Sequence, residues 1–149
     1  MNILCVCLGN ICRSPAAQAI FENRIASTGL DWTVDSAGTG GWHIGNPPDS
    51  RMIKAAGARG YDLTSQRARQ VSEQDFFQFD QIFAMDRDNL RNLKHVQPSG
   101  ATARLDLLLS FTDLSVSEVP DPYYGSEDGF DQVINLISSA ADAFIARHI

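Results

Sequence analysis

The sequence predicts an α/β fold: a single-domain three-layer sandwich in which a four-stranded parallel sheet has helices on both faces. The chain has 149 residues, which suits one domain over residues 1–149. Short apolar runs alternate with segments of helical periodicity along this length, which is the pattern of a parallel α/β sheet. The first run, residues 3–7, is apolar at every position, as expected for a strand buried on both faces.

The other elements follow from periodicity and from start and stop signals. Strands are predicted at 32–36, at 81–85 and within 104–111, and helices at 15–28, 50–59, 86–94 and 130–147, with loops at 37–48 and 120–126. Pro15 suits a first helical position, where its missing N–H has no intrahelical partner, and Gly29 suits a helix stop. Asp49 and Asp86 are candidate N-caps. Residues 72–75 resemble a capping box that opens a short helix, with Asp in place of the usual Glu.

Composition excludes several classes of function. The net charge is −6 and the pI about 4.8, which argues against nucleic-acid binding because that relies on basic surface. No apolar run approaches the roughly 20 residues that span a membrane. The N-terminus lacks a basic leader and a small-residue cleavage site, so we expect a cytoplasmic protein. Nothing in the sequence demands more than a monomer.

All three cysteines lie in the first dozen residues, at Cys5, Cys7 and Cys12. Such a cluster cannot join distant parts of the chain, so it is not a secreted disulfide framework. A metal site would need a second set of ligands, and His43 is the only plausible one nearby. We therefore predict no metal and no cofactor, and interpret Cys5 as a buried structural thiol.

The informative segment is Cys-Leu-Gly-Asn-Ile-Cys-Arg-Ser-Pro at residues 7–15, which runs from a strand end into a helix start. Such a loop turns successive backbone N–H groups inward to form an anion nest, and the helix N-terminus adds partial positive charge. Arg13 supplies a planar fork that can bind two phosphate oxygens. The predicted phosphate-binding residues are Leu8, Gly9, Asn10, Ile11, Cys12, Arg13 and Ser14.

Cys7 is the predicted nucleophile of this nest. The donors that bind phosphate also stabilise a thiolate, and Ser14 can donate a hydrogen bond to the sulfur. Gly9 and Asn10 tolerate backbone conformations that other residues resist. The expected chemistry is attack of sulfur on phosphorus and hydrolysis of the resulting phosphocysteine by water. A Walker A loop is excluded, because no Gly-Lys-Ser/Thr follows Gly9.

Later segments add to this loop. They are Asp35-Ser36-Ala37-Gly38-Thr39, Trp42, Asn46-Pro47-Pro48, Ala68-Arg69-Gln70, Ala84-Met85-Asp86 and Asp121-Pro122-Tyr123-Tyr124. Together with the loop they resemble the low-molecular-weight protein tyrosine phosphatase family over nearly the whole chain. The resemblance implies hydrolysis of phosphotyrosine and small aryl phosphates, with phosphotyrosine proteins as partners and inorganic phosphate as product. It makes Asp121 the general acid, which agrees with the need of a leaving phenolate for a proton.

The resemblance also implies roles around the three catalytic residues Cys7, Arg13 and Asp121. Ile11, Trp42, Tyr123 and Tyr124 correspond to the walls of an aromatic substrate pocket. Asn10 and Ser36 correspond to a hydrogen-bonded pair that, with Ser14, supports the loop. Cys12 corresponds to a second loop cysteine that can form a disulfide with an oxidised nucleophile, and a small buried filler explains it equally well.

Alternatives and one departure stay open at the level of sequence. Many relatives carry a histidine where this chain has Gln66, which can hydrogen-bond but cannot charge. Arsenate reductases of this fold need downstream cysteines, and none follows Cys12. Arginine phosphatases of this fold typically carry threonine at the position of Ile11, whereas isoleucine suits an aromatic ring. A non-catalytic phosphopeptide-binding module would keep Arg13 without needing Cys7 or Asp121.

Overall fold

The computed structural model describes residues 1–123 and 125–149. Helices and strands alternate along the chain as the sequence predicts. The elements are β1 (Asn2–Cys7), α1 (Arg13–Thr28), β2 (Thr33–Gly38), α2 (Ser50–Gly57), α3 (Asp75–Gln78), β3 (Gln81–Ala84), α4 (Arg87–Val96), β4 (Arg104–Leu107), a 3₁₀ helix (Leu108–Phe111) and α5 (Glu127–Ala146).

The four strands form one sheet in the order β2-β1-β3-β4, and every neighbouring pair is parallel. All carboxyl ends therefore lie at the same edge of the sheet, where parallel α/β folds bind their ligands. Cys7, the last residue of β1, pairs with Gly38 at the end of β2 at this edge. The sheet thus places the loop of residues 7–15 at the edge expected for a ligand site.

Side chains of β1 alternate between two hydrophobic cores. Ile3 and Cys5 belong to the core beneath α1 and α5, and Leu4 and Val6 belong to the core beneath α3 and α4. All four of these side chains are fully buried. The continuous apolar run of β1 therefore follows from its central position, and the predicted three-layer sandwich is confirmed.

Several predicted boundaries of helices and strands are wrong by two or three residues. β2 ends at Gly38 rather than at residue 36, α2 ends at Gly57 rather than at residue 59, and α4 ends at Val96 rather than at residue 94. Helix α1 begins at Arg13 because the Ala16 N–H already bonds to Cys12 O at 3.3 Å, so Pro15 is the third helical residue rather than the first. Pro15 still lies within the turn whose N–H groups have no intrahelical acceptor. The run 104–111 holds the predicted fourth strand, β4, which is followed by the 3₁₀ helix. Helix α5 starts at Glu127 rather than at residue 130.

The predicted helix signals mostly hold. The Asp49 side chain accepts the Arg51 N–H at 2.8 Å, and the Asp86 side chain accepts the Asn89 N–H at 2.7 Å. Gly29 ends α1 with a left-handed φ of 71°. The box at 72–75 is only half formed: the Asp75 carboxylate accepts the Ser72 N–H at 2.8 Å, but the helix begins at Asp75 itself.

Among the described residues, no helix combines the length and the apolar character needed to cross a bilayer.

Candidate active site

The loop between β1 and α1, which we call the phosphate loop (residues 7–14), uses its carbonyl groups to bind the surrounding chain. Cys7 O accepts the Thr39 N–H, Leu8 O accepts the Gly40 N–H, and Ile11 O accepts the Asp49 N–H, at 2.8–2.9 Å. Within the described part of the chain, no acceptor takes the N–H groups of residues 9–12. The loop therefore presents a row of backbone donors to an anion.

Asn10 holds the shape of this loop from its centre. It is the one non-glycine residue with a positive φ, 57°, in the ranges 1–123 and 125–149. Its amide nitrogen donates to Ser14 Oγ at 2.7 Å and to Ser36 Oγ at 3.0 Å, and its amide oxygen accepts the Arg69 N–H at 2.9 Å. These three bonds offset the strain of the left-handed backbone.

The end of β2 fits tightly against the same loop. A Cβ on Gly38 would lie 2.8 Å from Leu8 O and 3.2 Å from the Asn10 side chain. Glycine at this position therefore lets the strand approach the loop closely enough for Ser36 to reach Asn10. Ser36 Oγ in turn donates to Gln18 Oε1 at 2.8 Å, which joins α1 to the network.

Cys7 lies at the bottom of a cavity of about 330 Å³. The residue is 2% exposed, and its Sγ is 3.0 Å from Ser14 Oγ. The cavity is lined by Cys7, Leu8, Gly9, Ile11, Cys12, Arg13, Trp42, His43, Asp121 and Tyr123. The structure thus brings together the predicted pocket residues Ile11, Trp42 and Tyr123, while Tyr124 lies outside the described residues.

Arg13 is buried beside Cys7 and points one edge of its guanidinium at two fixed acceptors. Its Nη1 donates to Asp86 Oδ2 at 2.6 Å and to Val119 O at 3.0 Å. Burial opposes the charged form, but the negative charge of Cys7 and the hydrogen bond to Asp86 together raise the pKa of Arg13 above its ordinary value. Arg13 therefore remains a guanidinium in the site.

Asp121 reaches the cavity from a loop more than one hundred residues away along the chain. Its Oδ2 lies 3.6 Å from Arg13 Nη2, and its Oδ1 accepts the Tyr123 N–H at 3.0 Å. The loop is anchored at the sheet edge because the Val119 N–H donates to Met85 O at 2.8 Å. The Asp121 side chain is 38% exposed, so it lies at the mouth of the cavity rather than inside it.

Cys12 also lines the cavity, and its surroundings oppose a negative charge on its sulfur. Burial raises the pKa of the Cys12 thiol, and the negative charges of Asp49 and Cys7 raise it further. These effects favour the neutral thiol at Cys12. Burial likewise raises the pKa of Cys5, which lies in the core beneath α1.

Several residues of the site were missed in the sequence. His43 lines the cavity, and the side chain lies against Gly9, where an added Cβ would be 3.0 Å from His43 Cδ2. Asp86, predicted only as a helix cap, uses one oxygen for the cap and the other for Arg13. Its position two residues after β3, at the carboxyl edge of the sheet, was the available signal.

Gln66 is bonded to the first turn of α1. Its amide nitrogen donates to Pro15 O at 3.0 Å, close to the start of α1. Its buried Oε1 has no partner within the described residues. The predicted hydrogen-bonding capacity of Gln66 is therefore used on the helix that follows the phosphate loop.

A row of unused backbone donors around a buried arginine, at the carboxyl edge of a parallel sheet, characterises a protein that binds a phosphate group. Comparison with known proteins makes the assignment specific. The model of the family "Low molecular weight phosphotyrosine protein phosphatase" matches residues 2–148, and the chain belongs to this family. The family and the phosphatase class predicted from the sequence are thereby confirmed.

Individual relatives cover nearly the whole chain. The low molecular weight phosphotyrosine protein phosphatase of Schizosaccharomyces pombe is 47% identical over 142 residues, which cover 92% of this chain and 90% of the relative. A protein tyrosine phosphatase from Entamoeba histolytica, solved with Hepes in the active site, has a TM-score of 0.94 at 42% identity and covers 99% and 96% of the two chains. An arginine phosphatase from Drosophila has a TM-score of 0.95 at 34% identity, with 99% and 98% covered.

Proposed function

We propose that this chain hydrolyses phosphotyrosine in proteins, and small aryl phosphates, through a phosphocysteine intermediate on Cys7. The observation that carries the proposal is the Cys7 sulfur at the bottom of the cavity, 3.0 Å from Ser14 Oγ and surrounded by the open N–H groups of residues 9–12. This arrangement favours both a thiolate and a bound phosphate. The products are the dephosphorylated protein and inorganic phosphate.

In the first step the Cys7 thiolate attacks phosphorus. A sulfur–phosphorus bond forms, the bond from phosphorus to the tyrosine oxygen breaks, and the electron pair leaves on that oxygen. Arg13 Nη2 and the backbone N–H groups of the loop meet the charge on the equatorial oxygens, where preorganised donors stabilise the transition state most. Asp121 donates its proton to the departing oxygen, which leaves as a neutral phenol.

In the second step water attacks the phosphocysteine. Asp121, now a carboxylate, accepts a proton from the water, the sulfur–phosphorus bond breaks, and Cys7 departs as a thiolate. The Ser14 hydroxyl, 3.0 Å from the sulfur, donates to the departing thiolate. Cys7 and Asp121 thus take part in both half-reactions. Asp121 is protonated again when phosphate is released.

The position of Asp121 supports this exchange of protons. Its Oδ2 faces Arg13 Nη2 across 3.6 Å at the open side of the cavity, which is the side from which a substrate oxygen must leave. A phosphate that binds Nη2 competes with Asp121 for this nitrogen. The competition would leave Oδ2 for the oxygen of the leaving group.

The walls of the cavity favour an aromatic substrate. Ile11, Trp42 and Tyr123 line it, and Trp42 is 73% exposed, so its ring is accessible to a peptide. Aromatic and aliphatic walls hold a phenyl ring by area burial and stacking. The structural likeness to the Drosophila arginine phosphatase makes phosphoarginine the second candidate substrate, and the apolar Ile11 argues for the phenyl ring.

The test is a Cys7→Ser variant assayed with p-nitrophenyl phosphate and with phosphate as a ligand. Turnover should fall more than about 10⁴-fold, because the nucleophile is gone. Phosphate binding, measured by calorimetry, should remain within about threefold of wild type, because the N–H donors and Arg13 are unchanged. Cys5→Ala, a matched change on the same strand but in the core, should keep its turnover.

Substantial turnover by Cys7→Ser would remove Cys7 as the nucleophile, and a wild-type protein that binds phosphate without turnover would be a binding module. Peptides that carry phosphotyrosine or phosphoarginine separate the two substrates. A higher kcat/KM for phosphoarginine would replace the proposed substrate class.

A further inference from the structure

Arg51 occupies an unfavourable place in its own helix. It is the second residue of α2, where the partial positive charge of the helix N-terminus repels a cation. The Asp49 cap offsets part of this repulsion, because its carboxylate pairs with the guanidinium at 2.9 Å. The helix alone therefore gives no reason for arginine at this position, and the reason must lie in contacts beyond α2.

Those contacts lead to the loop that carries Asp121, which we call the acid loop (residues 119–123). Arg51 Nη2 donates to Tyr123 O at 3.0 Å as well as to Asp49 Oδ2, while Nε donates to Asp49 Oδ1 at 3.1 Å. The guanidinium carbon also lies 5.3 Å from the centre of the Tyr123 ring and 4.8 Å from that of Phe130. One planar fork thus joins the N-terminus of α2 to the acid loop and stacks with two rings.

Short chains of hydrogen bonds connect the Arg51 guanidinium with both the phosphate loop and Asp121. On one side Asp49, through its N–H, donates to Ile11 O of the phosphate loop at 2.8 Å. On the other side the Tyr123 N–H donates to Asp121 Oδ1 at 3.0 Å. Tyr123 is therefore held at its carbonyl by Arg51 while its amide orients the carboxylate of Asp121.

We propose that Arg51 is a positioning residue for Asp121, and this proposal rests on the acid role given to Asp121 above. Arg51 fixes Tyr123 relative to the phosphate loop and so sets the distance from the Asp121 carboxyl to the oxygen that leaves. It lines neither the bottom of the cavity nor the phosphate cradle. Its loss should therefore impair protonation of the leaving group and spare phosphate binding.

Arg51→Met tests this with two substrates that differ in their need for a proton. Phenyl phosphate has a basic leaving group that needs the general acid, whereas p-nitrophenolate leaves with little help. We expect kcat/KM to fall about tenfold for phenyl phosphate, since a displaced catalytic group loses part of its effect, and less than about threefold for p-nitrophenyl phosphate. Arg51→Lys keeps the charge but not the planar fork, so we expect the same selective loss, to a similar extent.

Arg59→Met is the matched control. Arg59 lies just beyond α2 and donates to Asn135 Oδ1 of α5 at 2.6 Å, away from the acid loop. Both substrates should keep kcat/KM within about twofold in this variant. The inhibition constant of phosphate should likewise stay within about twofold in Arg51→Met, and a loss of phosphate affinity that equals the loss of rate would overturn the proposal.

An Asp121→Asn background separates failure of this inference from failure of the proposed function. If Arg51 acts through Asp121, Arg51→Met should cost less than about twofold for phenyl phosphate once Asp121 is asparagine. Equal losses for both substrates in Asp121→Asn alone would refute the acid role itself. A selective loss in Asp121→Asn together with an unselective loss in Arg51→Met would refute only the role of Arg51. If Arg51→Met does not fold, the Arg51→Lys variant decides the question by the same criteria.

Discussion

The phosphate loop and the acid loop meet over one cavity but are held in opposite ways. In the phosphate loop Cys7, Asn10, Arg13 and Ser14 are each at most 2% exposed. Side-chain hydrogen bonds join Ser14 to Cys7 and to Asn10, and Arg13 is bonded to Asp86 and to Val119 O. In the acid loop the Asp121 side chain is 38% exposed, and its anchors are the backbone bonds of Val119 and the contacts of Tyr123. The part that we propose to bind phosphate is thus fixed by burial, and the part that we propose to transfer protons is held at its edges.

This difference has a physical reason. Phosphate oxygens need several donors at fixed positions, and a buried network keeps them there without reorganisation. The acid must exchange protons with a phenol and with water, which requires access to solvent. Substitutions in the phosphate loop should therefore lower kcat/KM by the same factor for all substrates. The loss caused by substitutions in the acid loop should depend on the leaving group.

Among variants that keep the proposed nucleophile, Arg13→Lys should give the largest effect and should act on every substrate. Lysine cannot offer Nη1 to Asp86 and Val119 while a second nitrogen binds phosphate, and it leaves the Asp86 carboxylate without its 2.6 Å partner. We expect kcat/KM to fall about 10³-fold for both phenyl phosphate and p-nitrophenyl phosphate, since oxyanion donors are worth this much. Phosphate inhibition should weaken in parallel.

The control for that variant is Arg24→Lys, since Arg24 pairs with Asp142 and Tyr61 on the far side of α1. It should leave both rates within about twofold. A loss in Arg13→Lys that is confined to phenyl phosphate would contradict the contrast between the two loops, because it would place Arg13 with the acid.

Substitutions at Asn10 should lower kcat/KM by a smaller factor. Two of them together separate the effect of backbone strain from that of the side-chain hydrogen bonds. Asn10→Gly removes the bonds to Ser14, Ser36 and the Arg69 N–H but suits the φ of 57°, whereas Asn10→Ala removes the bonds and adds strain. We expect kcat/KM to fall about tenfold in Asn10→Gly, since a loosened loop misplaces its donors, and further in Asn10→Ala.

The two Asn10 variants should lose equal factors with both aryl phosphates. Full activity in Asn10→Gly would show that the side-chain bonds are dispensable and that only the backbone conformation matters. Equal losses in the two variants would assign the whole effect to the bonds. Thermal unfolding of both variants checks that the differences come from folded enzyme.

The prediction of a phosphate-binding loop could be made from sequence because its signals are local. The nest and the position at a strand end follow from nine consecutive residues, 7–15, although the helix begins at Arg13, two residues before the predicted start. The fold class also followed from local patterns, since alternating strands and helices leave few arrangements other than a parallel sheet. The helix caps at Asp49 and Asp86 were likewise readable within four residues.

The contacts made by Arg51 and Arg13 could not be predicted, because they join residues that lie far apart in the sequence. Arg51 reaches Tyr123 across 72 positions, and Arg13 reaches Asp86 across 73. Arg51 and Asp86 also have local roles, as a helix residue and as a cap, and these roles give no sign of the second contact that each residue makes. His43 was missed for a similar reason, because its place beside Gly9 depends on how the loop at 37–48 folds back.

The smallest expected effect is at Asp49, which links the two loops through its bonds to Ile11 O and to Arg51. It concerns the free energy of unfolding rather than the rate. The hydrogen bond from Arg51 lowers the pKa of the Asp49 carboxyl below its ordinary value, against the opposing effect of burial. A carboxyl whose pKa is lower in the folded state stabilises the fold above its ordinary value, near pH 4, and this stability is lost as pH falls through the folded-state pKa. Asp49→Asn keeps a cap but loses the charge, so we expect it to lower the free energy of unfolding by about 1 kcal/mol at pH 7.

The same variant should show a shallower fall in the free energy of unfolding than wild type between about pH 5 and pH 2, because asparagine has no proton to gain. Urea titrations at a series of pH values measure both quantities. Asp31→Asn, a change at an exposed carboxylate before β2, is the control for the loss of one negative charge from the surface. Parallel curves for Asp49→Asn and wild type would mean that the charge of Asp49 contributes nothing to folding, and the joint between the two loops would then rest on the Arg51 contacts to Tyr123 and Phe130 alone.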